Sequence, residues 1–182
     1  EAETATFLAC QELEIERTYL AKYLPEGLSS CEFKDIEDWY LPKGAPHCYL
    51  RIRNSNGSFV MTKKEEVLAG DASTHFEHNI KLSNEEYQSL KTADSYILKK
   101  RRYLYPYQGR TAEIAVFSGD LQGLVLIEFE FENKEDFLNF SMPDFCLVDV
   151  TQEECFAGGV LCHESIDSLK EDLDKFGYKI IG

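Results

Sequence analysis

The chain has 182 residues, of which 33 are acidic and 19 basic, and its formal net charge is −14. This length predicts one domain with a substantial core, and an apolar share of 43% excludes global disorder. No apolar run reaches the roughly 20 residues of a transmembrane helix, and residues 1–6 show no signal peptide. Because an acidic chain repels nucleic acids and anionic membranes on average, neither is expected as a partner.

The chain contains six cysteines without the spacing of a metal or redox motif. No two of them form a CxxC pair, and no zinc pattern is visible. Scattered thiols are typical of proteins in a reducing compartment, so we expect a cytoplasmic location. The cysteines are Cys10, Cys31, Cys48, Cys146, Cys155 and Cys162.

Alternation of apolar and polar residues dominates the chain and predicts mostly β-strands. Turn signals at residues 54–57, 105–109 and 118–123 each separate two alternating runs. Successive strands joined by short turns form an antiparallel meander. Residues 65–74 have the composition of a longer loop.

Helix signals are few and lie mainly in the second half of the chain. Ser83 and Thr151 each have a glutamate three residues on, which predicts two capping boxes, the first opening a helix to about residue 93. Asn133 is predicted to cap a short helix through residue 140. Residues 165–175 have the apolar spacing of an amphipathic helix.

Most of the predicted strands carry charge on one face. Side chains alternate along a strand, so Glu12, Glu14 and Glu16 share a face opposite Leu13 and Ile15. Lys99 and Arg101 share a face with Tyr103, although Lys100 and Arg102 make the other face basic too. The remaining one-sided sets are Arg51 and Arg53, then His75, Glu77 and Asn79, then Glu113, then Glu128, Glu130 and Glu132.

A charged face has two interpretations. On any single strand it is a solvated face of an ordinary antiparallel sheet. Across the whole set, however, acids dominate the first and last strands and bases the middle ones, and closing such a sheet into a barrel places the charges in the lumen. The apolar exterior then needs the predicted helices as cover. A lumen with both signs suits a polyanion carried with a divalent cation, because carboxylates hold Mg²⁺ or Mn²⁺ while Arg and Lys hold phosphate.

At this point the motifs resemble those of the CYTH superfamily, also called triphosphate tunnel metalloenzymes, over about residues 13–161. Their order and spacing together carry the resemblance. The matching segments are Glu14-Ile15-Glu16-Arg17 for the ExExK signature, Arg51-Ile52-Arg53 for RxR, Thr62-Lys63-Lys64 for TxK, Lys99-Lys100-Arg101 for KxR, Glu128-Phe129-Glu130 for ExE, and Val150-Thr151 before a late helix.

The resemblance implies a single α+β domain over residues 1–182, an eight-stranded antiparallel barrel or tunnel with a few peripheral helices. It implies a monomer or homodimer that takes a triphosphate-containing small molecule or inorganic polyphosphate with Mg²⁺ or Mn²⁺. By the resemblance, Glu14, Glu16, Glu128 and Glu130 hold metal, and Arg51, Arg53, Lys64, Lys99 and Arg101 hold phosphate. Glu77, Glu113, His75 and Tyr40 are further residues expected in the lumen.

The chain departs from the family pattern at four positions. Thr18 stands in place of the lysine of ExExK, and Ala115 where an aspartate is common. Ser73 and His75 occupy the arginine and first glutamate of an RxExE strand. The lost charges weaken phosphate binding and remove potential metal ligands, since each charged contact is typically worth about 1.5–3 kcal/mol.

Three functions are compatible with these residues. Metal-dependent hydrolysis of a triphosphate ranks first, and Lys64 is its candidate catalytic residue, orienting or deprotonating water if neighbouring cations lower its pKa. A degenerate tunnel that binds polyphosphate or a nucleotide without turnover ranks second, because of the missing Lys and Arg. An adenylate cyclase ranks third, because no residue identifies a pocket for a base.

Overall fold

The computed structural model of the protein describes residues 9–92 and 94–182, without the side chains of Ala9 and Cys10. The signal-peptide expectation for residues 1–6 and the thiol of Cys10 lie outside this part of the chain. In the described ranges there are nine strands, four short α-helices and three 3₁₀ turns.

The strands are β1 (Ala9–Ala21), β2 (Phe33–Leu41), β3 (Leu50–Ser55), β4 (Ser58–Glu66), β5 (Thr74–Leu82), β6 (Tyr96–Tyr107), β7 (Arg110–Phe117), β8 (Val125–Phe131) and β9 (Cys146–Asp149). The helices are α1 (Asn84–Leu90), α2 (Lys134–Asn139), α3 (Gly158–Leu161) and α4 (Lys170–Lys175). The 3₁₀ turns are Leu28–Ser30, Gly119–Leu121 and Glu154–Phe156.

Eight strands close into an antiparallel barrel, which confirms the predicted fold. Their order is β5-β4-β3-β2-β6-β7-β8-β1, and β1 also pairs with β5. The first half of β1 pairs with β5 as far as Ile15, and its second half pairs with β8. The short β9 adds to the end of β1. One strand therefore closes the ring by changing partners along its length.

Two tight turns set the register of neighbouring strands. Asn56 and Gly57 have φ of 50° and 84° between β3 and β4, and Gln108 and Gly109 have φ of 47° and 75° between β6 and β7. Two successive positive φ angles are typical of the type I′ hairpin turn, which asparagine and glycine favour. These turns confirm two of the predicted hairpins.

The helix predictions are confirmed in part. Ser83 makes the predicted capping box with Glu86, and Asn133 accepts a hydrogen bond from the backbone N–H of Asp136. The capping box at Thr151 is wrong, because the Thr151 hydroxyl accepts the backbone N–H of Thr18 instead. The C-terminal helix is shorter than predicted, since residues 166–169 form turns before α4 begins.

The apolar residues form two clusters, one outside and one inside the barrel. The outer cluster covers β1, β7 and β8 and is packed by Phe137 and Phe140 around α2. The inner cluster lies at one end of the barrel, where Leu20, Leu98 and Leu126 meet residues of the C-terminal segment. That end of the barrel is therefore filled with apolar side chains. No helix in the described part of the chain is long and apolar enough to cross a membrane.

Candidate active site

A cavity of about 390 Å³ occupies the polar part of the barrel lumen. All eight barrel strands contribute to it, because each turns alternate side chains inward. The barrel residues that line it are Glu14, Glu16, Thr18, Tyr40, Arg51, Arg53, Thr62, Lys64, Glu66, His75, Glu77, Lys100, Arg102, Glu113, Glu128 and Glu130. The structure thus brings together the four glutamates expected to hold metal, and three of the five cations expected to hold phosphate.

Lys64 lies at the centre of a carboxylate cluster. Its Nζ is 3.0 Å from Glu77 Oε1, 3.1 Å from Glu14 Oε2 and 3.7 Å from Glu16 Oε1. Burial alone lowers the pKa of Lys64, but the three carboxylates outweigh it and the net shift is upward. Lys64 therefore stays charged, and the condition for its removing a proton from water, a pKa lowered by neighbouring cations, is not met.

The carboxylates around Lys64 differ in their ionisation. Burial raises the pKa of Glu14 to about 8, against the opposing effect of Lys64. For Glu77, burial also acts upward, but Lys64 and Arg51 outweigh it and hold its pKa at about 2. Arg51 Nη2 lies 3.7 Å from Glu77 Oε1, so Glu77 joins two cations.

A second group of carboxylates surrounds Arg102. Its Nη1 and Nη2 lie 3.5 Å from Glu113 Oε1 and 3.4 Å from Glu128 Oε2. Glu113 and Glu128 face each other across β7 and β8, and Glu16 and Glu130 face each other across β1 and β8. Burial first, and then Glu113, Glu16 and Glu128, raise the pKa of Glu130. This side of the cavity has an excess of negative charge.

The cations of β6 that enter the cavity are Lys100 and Arg102, so the prediction that Lys99 and Arg101 lie in the lumen is wrong. Lys99 Nζ is 3.1 Å from Glu37, and Arg101 pairs with exposed Asp35, both on the outer face. Register explains the difference, because residues directly opposite each other share a face. Tyr40 and Asp38 face inward from β2, and Asp38 lies opposite Leu98, which places even-numbered residues of β6 inside.

Lys100 is buried, and in the part of the chain that the structure describes no carboxylate forms an ion pair with it as three do with Lys64. Burial and then the charge of Arg102 lower its pKa to about 7. Its Nζ lies 5.4 Å from the centre of the Phe117 ring, at the apolar end of the lumen. Lys100 thus completes an inward-facing cationic wall with Arg51, Arg53 and Arg102.

The four departures from the family pattern lie in different surroundings. Thr18 and His75 line the cavity, and the Nδ1 atom of His75 is buried with no hydrogen-bond partner among the described residues. Ala115 is packed into the inner apolar cluster. Ser73 lies in the β4–β5 loop outside the cavity lining, and its hydroxyl donates to Asp71 over 2.6 Å.

Residues 150–159 form part of the cavity wall that the sequence did not predict. They are held at the cavity mouth by contacts with two loops. Gln152 donates to Asp71 and accepts the backbone N–H of Ala72, over 3.0 and 2.9 Å. On the other side, Glu154 lies 3.0 Å from His47, whose ring stacks on Tyr49. The sequence contains a motif match at Val150-Thr151 but no periodicity that places this segment against the cavity.

The carboxylate oxygens in the lumen are the type of ligand that a hard divalent cation prefers. Carboxylate oxygens are the ligands that Mg²⁺ and Mn²⁺ prefer, and Glu16, Glu113, Glu128 and Glu130 gather negative charge that a cation relieves. Within 9–92 and 94–182, no three acidic, imidazole or thiol side chains have the geometry to hold a metal as they stand. Lys64 and Arg102 hold these carboxylates instead.

Comparison with known proteins identifies relatives with the same fold. No family model matches the chain. The sequence is 27% identical over 150 residues to an inorganic triphosphatase from Nitrosomonas europaea, covering 81% of this chain and 95% of the relative. A solved structure of an inorganic triphosphatase superposes with a TM-score of 0.61 at 25% identity, over 83% of this chain and 95% of that one. A putative adenylate cyclase from Bacillus halodurans shares the fold at 17% identity and a TM-score of 0.53, over 94% of each chain.

Proposed function

We propose that this chain, whose motifs resemble those of the CYTH superfamily and whose sequence is similar to an inorganic triphosphatase, hydrolyses a triphosphate in its lumen, with Mg²⁺ or Mn²⁺ and with inorganic tripolyphosphate as the favoured substrate. The observation that carries the proposal is the pairing of a cationic wall with a carboxylate wall inside one cavity. Inorganic polyphosphate and organic triphosphates are the alternative substrates, and the proposed form is a cytoplasmic monomer or homodimer.

In this proposal the cationic wall binds the phosphates. Arg51 and Arg53 of β3 and Lys100 and Arg102 of β6 face the cavity from the two strands that flank β2, and Lys64 of β4 adds a fifth basic side chain. Phosphoryl transfer depends mainly on positioning and on electrostatic stabilisation, and fixed cations in a closed lumen supply both. Because the pKa of Lys64 is raised, its role is to hold phosphate and not to remove a proton from water.

The carboxylate wall is assigned to the metal. Glu14, Glu16, Glu128 and Glu130 hold it in this proposal, with Glu113 beside them. A cation held there would supply charge neutralisation for the phosphate oxygens and the leaving group. Substrate oxygens would compete with these carboxylates for Lys64 and Arg102, which would leave the glutamates available as metal ligands.

The test is phosphate release from inorganic tripolyphosphate, ATP and thiamine triphosphate, with Mg²⁺, Mn²⁺ or a chelator. We expect metal-dependent release, fastest from tripolyphosphate. Glu16→Gln and Glu130→Gln should each lower turnover by about 100-fold, because each removes a charged group from the metal site. Glu132→Gln is the matched control, since Glu132 directly follows β8 and lies outside the cavity lining. Full metal-dependent turnover in either lumen variant would refute the metal assignment.

The second candidate is a tunnel that binds polyphosphate or a nucleotide without turnover. Thr18 favours it, because a cavity-lining position that carries lysine in the family is uncharged here. No phosphate release, together with a higher melting temperature in tripolyphosphate, would support this alternative. Cyclisation of ATP ranks third and predicts pyrophosphate in place of phosphate as the product.

A further inference from the structure

Asp38 is a buried carboxylate directly behind the cationic wall. It lies on the inward face of β2 opposite Arg53 of β3, and its side chain is 0% exposed. Both of its carboxylate oxygens are engaged by one guanidinium, with Arg53 Nε donating to Oδ1 over 2.6 Å and Arg53 Nη2 donating to Oδ2 over 2.8 Å. This is the two-pronged geometry that fixes an arginine most strongly.

Asp38 differs from every other carboxylate that pairs with a lumen cation. Glu77, Glu113 and Glu128 line the cavity, whereas Asp38 is absent from its lining. Asp38 therefore cannot reach a metal or a substrate from its position. Its carboxylate is hydrogen-bonded to Arg53, which does line the cavity.

The pair leaves part of the Arg53 guanidinium available to a ligand. Asp38 accepts hydrogen bonds from Nε and from one hydrogen of Nη2. The two N–H groups of Nη1 and the second N–H of Nη2 are therefore not bonded to Asp38. Because the guanidinium is planar, fixing one edge also fixes the direction of the opposite edge. A phosphate oxygen in the cavity would meet donors that are already oriented.

We propose that Asp38 is a positioning residue that holds the Arg53 guanidinium in the plane and direction required to bind a phosphate group of the substrate. The inference rests on the proposed function. A purely structural role explains the pair poorly, because a buried ion pair adds little stability over apolar residues of similar size. Burial acts to raise the pKa of Asp38, but Arg53 outweighs it and the net shift is downward, so the carboxylate stays charged.

The test compares binding in wild type, Asp38→Asn, Arg53→Lys and the double variant. The probe is the imido analogue of inorganic tripolyphosphate, whose bridging nitrogens resist hydrolysis, titrated calorimetrically with Mg²⁺ present. We expect each single variant to weaken binding by about tenfold or more, because a misplaced donor loses its phosphate contact. The double variant should bind no more weakly than the weaker single variant, since both changes disable the same oriented donor.

The chain offers a matched control in Asp35→Asn. Asp35 engages Arg101 with the same two-pronged geometry, over 2.7 and 2.9 Å, but on the outer face of the barrel. Its loss should leave the affinity unchanged. In turnover assays, Asp38→Asn should raise the KM for tripolyphosphate, and Asp35→Asn should not.

Each outcome decides the inference. A folded Asp38→Asn variant with wild-type affinity would overturn it, and so would losses that add in the double variant. If Asp38→Asn fails to fold, Arg53→Lys decides alone, because it keeps both charges and removes only the fork. A wild-type protein that neither binds the analogue nor hydrolyses tripolyphosphate would overturn the proposed function and this inference together. Wild-type binding with unchanged variants would overturn the inference alone.

Discussion

At the scale of one residue, the buried Lys100 adds a basic side chain to the lumen and lowers the stability of the folded protein. Its pKa is lowered to about 7 from 10.5, because burial and Arg102 disfavour its charge. The folded protein therefore binds fewer protons than the unfolded chain between these two values. The free energy of unfolding therefore rises with pH across that interval. At pH 7, the low end of the interval, most of this rise has not yet occurred.

We therefore expect Lys100→Met to raise the melting temperature at pH 7 by a few degrees while it lowers triphosphatase activity. The advantage over wild type should shrink as the pH rises to 10, where the wild-type lysine is neutral in the folded protein. Thermal unfolding at pH 7, 8.5 and 10 measures both effects. Lys99→Met is the control, because Lys99 is exposed on the opposite face, and it should change little. A difference in melting temperature between Lys100→Met and wild type that stays constant with pH would contradict this account of Lys100.

At the scale of elements, α3 is held against the β2–β3 loop by a contact that requires glycine. Gly159 accepts the backbone N–H of Cys48 over 3.0 Å, and a Cβ on Gly159 would collide with the Cys48 carbonyl oxygen and approach His47 Cδ2 to 2.7 Å. Because the collision involves backbone, it cannot be relieved by a side-chain rotation. This contact fixes the unpredicted wall of the cavity.

Gly159→Ala should lower the free energy of unfolding by about 1–3 kcal/mol, as overpacking of a tight interior does. Hydrogen exchange of the Cys48 amide should become faster, because its acceptor moves away. Urea unfolding and amide exchange followed by mass spectrometry measure the two effects. Gly182→Ala serves as the control, since an added Cβ there meets open space. If the Cys48 amide of Gly159→Ala exchanged as slowly as in wild type, the prediction would be contradicted. The result would mean that α3 accommodates the added Cβ and stays bonded to the β2–β3 loop.

The sequence predicted the elements whose two faces differ and missed those whose faces are alike. On β1, β3 and β8 one face is charged and the other mostly apolar, so alternation was enough to identify Glu14, Arg51 and Glu130 as lumen residues. On β6 both faces are basic, and only the register with β2 separates Lys100 from Lys99. Asp38 was missed for a related reason, because a single acid beside Glu37 has no periodic signal. Residues 150–159 have no period at all, and tertiary contacts alone place them.

At the scale of the whole molecule, the C-terminal tail and the barrel share one core. Tyr178 donates to the Gly123 carbonyl over 2.7 Å and accepts the backbone N–H of Val125 over 2.9 Å, which ties the tail to the start of β8. Leu169 and Leu173 pack in the same cluster as Leu20 and Leu98 of the barrel. A chain with a shared core of this kind should unfold in one cooperative transition.

Tyr178→Phe tests that cooperativity, because it leaves a buried carbonyl and N–H without their partner. We expect the free energy of unfolding to fall by about 1–3 kcal/mol. Trp39 is the one tryptophan of the chain and lies on β2, so its fluorescence reports on the barrel while far-UV circular dichroism reports on all elements. Both midpoints should shift equally, and Tyr23→Phe, at a residue 47% exposed, should shift neither.

If the Trp39 midpoint stayed at its wild-type value while the dichroism signal fell earlier, the tail would be a separate unit. The cavity wall could then open while the barrel stays folded, whereas coincident midpoints mean that the wall is as stable as the barrel itself.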